Sequence, residues 1–133
     1  MANEEETQEA LGLKTEELEA ALAAARPLDI KVLNGTGLTL KFHAEKPKHG
    51  KVPVCHPAMV TNNDIAHIHV ENSGLIGPEG NFELGSFKCY YHHPFGTGLT
   101  EVSWTPPPGY KDTRVYDSLQ QHAASCIDWL IKT

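Results

Sequence analysis

Asn34-Gly35-Thr36-Gly37-Leu38-Thr39-Leu40 opens, and His92-His93-Pro94-Phe95-Gly96-Thr97-Gly98 closes, the stretch whose reading decides the fold. From Asn34 to Trp104, short alternating apolar runs are separated by Gly, Pro and Asn, the pattern of a small all-β domain. Asn34-Gly35 is a turn signal between two alternating runs. Leu28, Ile30 and Val32 precede it, and Leu38, Leu40 and Phe42 follow, so a hairpin is expected there. The Pro-rich segment from His43 to Pro57 reads as a long loop broken by Val52 and Val54. Beyond it, Ile65, His67 and His69 share one face of a strand, and Ala66, Ile68 and Val70 share the other. Asn72 to Asn81 is a Gly/Ser/Pro loop. Phe82 and Leu84 resume the sheet, and Cys89 to His93 makes an aromatic strand. Pro94 to Gly98 turns, Leu99 to Trp104 is a strand, and Thr105 to Gly109 is a proline-rich exit.

Outward from this stretch the periodicity changes. Residues 1–13 read as an acidic flexible tail. Thr15 ahead of Glu16 and Glu17 then resembles a helix N-cap, with Leu18, Ala21, Leu22 and Ala25 at helical spacing before Pro27. A short peripheral helix is expected over 14–27, and a sandwich domain over 28–133. At the other end Ser118-Leu119-Gln120-Gln121 has capping-box spacing, predicting a helical turn to Ala124. A final strand should follow, in which Ile127, Trp129 and Ile131 alternate with Asp128, Leu130 and Lys132. The fold class is therefore mainly β, a single antiparallel β-sandwich with a short N-terminal helix and a C-terminal helical turn.

Size and charge narrow the function. The 133 residues make one domain able to bury a continuous core. Of 11 Lys and Arg and 17 Asp and Glu, two and seven fall in the first 26 residues, leaving nine against ten. A near-neutral body with an acidic end argues against nucleic acid as partner, because phosphate contacts need clustered cations. No apolar run approaches the roughly 20 residues of a membrane span, so the chain is not expected to be transmembrane. The amino terminus has no basic or apolar signal region, which favours the cytoplasm, or secretion if a signal has been removed. Cys55, Cys89 and Cys126 are odd in number and widely spaced. They read as buried reduced thiols, with a Cys55–Cys89 bridge as the alternative if their strands are neighbours.

The order of these signals resembles the actinoporin-like and aegerolysin-like β-sandwich proteins. The likeness runs through Asn34-Gly-Thr-Gly-Leu-Thr-Leu, His49-Gly50, Pro57, the glycine loop from Gly74 to Gly80, and the Pro94-Phe95-Gly96 corner after an aromatic strand. It covers about half of the chain. The resemblance implies a two-sheet sandwich that recognises membrane lipid, with a defensive or cytolytic role. The predicted N-terminal helix is short, acidic and alanine-rich, unlike the inserting helix of pore-forming members, so binding without autonomous pore formation is expected.

Two constellations are candidates for a site. Tyr91, Tyr110 and Trp104, with Tyr90 second, would hold a lipid headgroup or partner surface, since a large ring with one polar atom suits an interface and its face attracts a quaternary ammonium. The alternative is a metal-dependent enzyme or metal-binding protein centred on His67 and His69. Zinc or another transition metal would need a further ligand there from His92, His93, His56, Asp64 or Glu71. A third reading is a protein-interaction scaffold that uses the acidic tail and helix. No nucleophile motif or phosphate-cradling loop accompanies these residues, so the favoured reading is non-catalytic and needs no cofactor.

Overall fold

The computed structural model describes residues 27–74, 76–94 and 98–133. The predicted acidic tail and all but the last residue of the predicted helix lie outside them. Ten strands follow in order: β1 (Leu28–Gly35), β2 (Leu40–Ala44), β3 (Val54–His56), β4 (Met59–Val60), β5 (Ile65–Val70), β6 (Glu79–Leu84), β7 (Phe87–His92), β8 (Glu101–Thr105), β9 (Tyr110–Asp117) and β10 (Ala124–Lys132). They form two five-stranded sheets, β3-β5-β1-β10-β9 and β4-β2-β6-β7-β8. Among the described residues no helix is long and apolar enough to cross a membrane.

The two sheets bury one face each. Leu28, Ile30 and Val32 of β1 and Ala66, Ile68 and Val70 of β5 point inward, as their alternation predicts. From the second sheet Phe82, Leu84, Phe87, Cys89, Tyr91, Val102 and Trp104 meet them. Phe82 sits among Phe42, Tyr91 and Trp104 at centroid distances of 5.5, 6.1 and 5.5 Å, with the Trp104 ring edge-on. Burying such a side chain stabilises by about 1.5–3 kcal/mol, so the aromatics of β6 to β8 anchor the second sheet.

Three expectations are corrected. Asn34-Gly35 does not close a hairpin, because β1 and β2 belong to different sheets. The Asn34 side chain is fully engaged in turning a corner between them. Its Nδ2 donates to the carbonyls of Leu38 and Val60 at 2.7 and 3.0 Å, and its Oδ1 accepts from the Thr36 amide and hydroxyl at 3.0 and 2.6 Å. The sandwich is not wholly antiparallel, since β1 and β10 pair in parallel. Ser118 to Ala123 is a turn and not a helical segment. The Ser118 amide donates to the Ser125 carbonyl and the two hydroxyls meet at 2.8 Å, joining β9 to β10.

The final strand expected at the carboxy end is β10, and its alternation has a definite phase. Ala124, Cys126, Asp128 and Leu130 face the core, and Ile127, Trp129 and Ile131 face outward. Asp128 is inside because three donors wait for it. Arg114 Nε reaches Oδ1, Trp104 Nε1 donates to Oδ2 at 2.8 Å, and the Cys126 thiol lies 3.5 Å away. Arg114 also donates to the Val102 carbonyl at 2.7 Å, so this buried pair ties the edge strand of one sheet to the other. Cys55, Cys89 and Cys126 are buried and free, so the alternative Cys55–Cys89 bridge is not formed.

Candidate functional site

Strand direction gathers four loops at one end of the sandwich. β1, β3, β8 and β10 start there and β2, β5, β7 and β9 finish there, so residues 45–53, 71–74, 76–78, 93–94, 98–100 and 118–123 share that end. Backbone hydrogen bonds tie the first two loops together: Lys48 and His49 donate to Glu79 O at 2.9 and 3.1 Å, Glu79 returns a bond to His49 O, and Lys51 donates to Glu71 O. Gly50 stands at the closest approach, with φ +96°. A Cβ there would lie 2.9 Å from both Glu71 O and Pro78 Cβ, so only glycine fits.

The remaining two loops are joined through a buried histidine. His93 is completely buried. Its Nε2 donates to the His122 carbonyl at 2.8 Å and its Nδ1 meets the Thr100 hydroxyl at 2.7 Å. Its amide donates to Pro78 O, which links it back to the 71–78 loop. Gln120 bonds the Thr100 amide and carbonyl at 3.1 and 3.2 Å. The end is thus held by specific bonds and presents a defined surface.

That surface is apolar at its tips and mixed in charge around them. Leu99 is 79% exposed, the highest value among the large apolar residues exposed on the described surface, and Ile76 and Val52 are 57% and 56% exposed. Lys48, Lys51, His49 and His92 stand beside Glu71 and Glu79. Lys51 Nζ lies 2.7 Å from Glu71, and Lys48 and His92 lie 3.9 and 3.8 Å from Glu79. The Tyr90 hydroxyl donates to Glu79 at 2.7 Å, which lowers the carboxyl's pKa and pushes the phenol up to about 12. The Lys51 ammonium, and then His69, lower Glu71.

Of the aromatics singled out from sequence, the structure does not make a surface cluster. Tyr91 is fully buried, Trp104 is 8% exposed with its indole on Asp128, and Tyr110 packs edge-on against Phe87 at 5.7 Å. Tyr90 alone faces outward, at the loop end. The histidines also separate. His67 and His69 lie on the outer face of β5, in the first sheet. His92 ends β7 in the second sheet, and His93 is interior. Among the described residues no three His, Cys, Asp or Glu side chains converge as metal ligands. Val52, Ile76 and Leu99 were not distinguished by the sequence reading. Their only signal is one aliphatic residue, or the adjacent pair Leu75-Ile76, in a polar, Gly/Pro-rich loop.

A second exposed apolar surface lies on the outer face of the first sheet. Ile65, Leu33 and Trp129 are register neighbours across β5, β1 and β10, and Ile127 pairs with Tyr116 of β9. A cleft of about 150 Å³ beside them is lined by Asp29, Lys31, Tyr116, Ser125, Cys126 and Ile127. The outer face of the second sheet is polar by contrast, carrying His43, Asn81, Glu83, Lys88, Tyr90 and Ser103. No model of a known family and no curated protein sequence matches the chain.

Proposed function

We propose that this protein is a non-catalytic binding module that docks on lipid headgroups at a membrane surface through the loop end of its sandwich. The observation that carries the reading is the exposure of Leu99, Ile76 and Val52 on loops fixed to one another at one end of the molecule. Aliphatic tips held in place enter the headgroup–acyl boundary without an ordering cost, and burial of each contributes in proportion to its apolar area. The rim carries both signs, Lys48 and Lys51 beside Glu71 and Glu79, which suits a zwitterionic headgroup offering a phosphate and an ammonium. The resemblance to actinoporin-like and aegerolysin-like sandwiches supports the same reading. Surface binding, without pore formation by this chain alone, is the activity assigned.

The test is co-sedimentation with vesicles of varied headgroup and sterol content, comparing the wild type with Ile76→Asp and Leu99→Asp. Both substitutions are on exposed loop positions, so the fold should persist while binding falls at least tenfold. Retained binding in both variants, or no binding of the wild type to any vesicle, rejects the reading. A second reading is favoured by the apolar band of Ile65, Leu33, Trp129 and Tyr116: docking of a protein partner on the outer face of the first sheet. Trp129→Asp separates the two, since it weakens that docking and leaves vesicle binding intact.

A further inference from the structure

We propose that His56 and His67 together chelate a divalent transition metal on the outer face of the first sheet. The two residues are direct register partners in the antiparallel β3–β5 pair. Directly opposed residues place their Cβ atoms about 4.5–5.5 Å apart on one face, which lets two imidazole nitrogens meet at one ion. Both residues are exposed, and neither ring makes a hydrogen bond or ion pair among the described residues. β5, which carries His67, is held on both sides, by β1 and β3, while β3, which carries His56, is the edge strand paired to it.

The neighbouring groups define what the site takes. His69 is the diagonal neighbour of His56, about 7–8 Å away, and its nitrogens already face Asp29 at 2.7 Å and Glu71 at 3.4 Å. It therefore stays outside the chelate, and water completes the coordination. Lys31 is the register partner of His67 on β1 and opposes any cation, while Asp29 and Glu71 lie further along the same face. Two imidazoles with open positions suit Cu²⁺ first, then Ni²⁺ and Zn²⁺. The site is separate from the loop end, so it stands or falls independently of lipid binding. It also moves the metal reading away from the His67–His69 pair on one strand to a pair across two strands.

Calorimetric titration of metal-free protein with CuCl₂, NiCl₂ and ZnCl₂ tests the assignment. One site should be tighter than the remaining surface histidines, and tightest for Cu²⁺. His56→Ala and His67→Gln should each weaken it at least tenfold, and His69→Ala less than threefold. Unchanged affinity in either of the first two overturns the proposal, as does an equal loss in His69→Ala. Electron paramagnetic resonance of the wild type with one equivalent of Cu²⁺ tests it without relying on any variant's folding. Two imidazole nitrogens in the first coordination shell support the chelate, and one nitrogen, or a mixture of sites, overturns it.

Discussion

Tyr91 is completely buried, yet its hydroxyl has no hydrogen-bond partner among the described residues. Burial raises the phenol's pKa above the usual tyrosine range, and the uncompensated oxygen costs about 1–3 kcal/mol. Tyr91→Phe is therefore expected to leave stability unchanged or raise it by up to about 2 kcal/mol. Urea unfolding checks this, and a loss of more than about 1 kcal/mol would show a partner for the hydroxyl. His69 behaves differently, being half exposed and paired. The hydrogen bond to Asp29 raises its pKa above the usual histidine range against the opposing effect of partial burial, with Glu71 adding to the rise. A raised folded pKa means the pairing stabilises below the unfolded pKa and is lost as pH rises through the folded one. The contribution is screened by solvent, so the cleaner readout is the titration itself. Proton NMR should show His69 titrating above the usual histidine range, and Asp29→Asn should bring it down. Equal midpoints before and after that substitution would remove the pairing.

Elements succeed or fail here by what lies across from them. β6 passes so close to β7 that a Cβ on Gly80 would lie 2.6 Å from Tyr91 Oη and 3.1 Å from Pro47 Cα. Gly80→Ala should destabilise by about 1–3 kcal/mol, and adding Tyr91→Phe should recover part of it, because the closest atom is then gone. A double-mutant cycle in urea measures the recovery, and strict additivity would contradict the contact. The join of β9 to β10 has its own test. Arg114→Ala leaves Asp128 buried without its cation and should cost about 3–5 kcal/mol, toward the lower end because Arg114 is partly solvated. A cost below about 1 kcal/mol, measured by thermal unfolding, would show that Asp128 does not depend on Arg114. These two strands also explain the limits of the sequence. β1 and β5 were legible because a half-buried strand writes its burial as alternation. β9 is an edge strand with little buried surface, so Tyr110 to Asp117 carries no alternating signal. In β10 the alternation of Ile127, Trp129 and Ile131 left the inward face open, and Asp128 is drawn inward by Arg114 and Trp104 from other strands. The Asn34 corner failed for the same reason: its partners, Leu38 and Val60, include one 26 residues away.

For the molecule as a whole, a β-sandwich was readable from strand count and punctuation, whereas its candidate site was not. Tyr91 and Trp104 stood out as interface-type residues, and the core claimed them. Val52, Ile76 and Leu99 became visible only when strand direction brought their loops to one end. The described body is nearly balanced in charge, so binding driven by apolar tips and paired rim charges should depend weakly on salt. Co-sedimentation at low and physiological ionic strength should differ by less than about threefold, and a steep loss with salt would point to anionic lipid and simple charge attraction. The two tryptophans supply the most direct probe of the proposed docking surface, since Trp104 is buried and Trp129 stands on the outer face of the first sheet. Quenching by lipids brominated on their acyl chains would be measured for the wild type and for Leu99→Trp. Docking through the loop end predicts strong added quenching from the new tryptophan and none of Trp129. Quenching of Trp129 in the wild type, with no added quenching in Leu99→Trp, would contradict it and place the membrane against the sheet face.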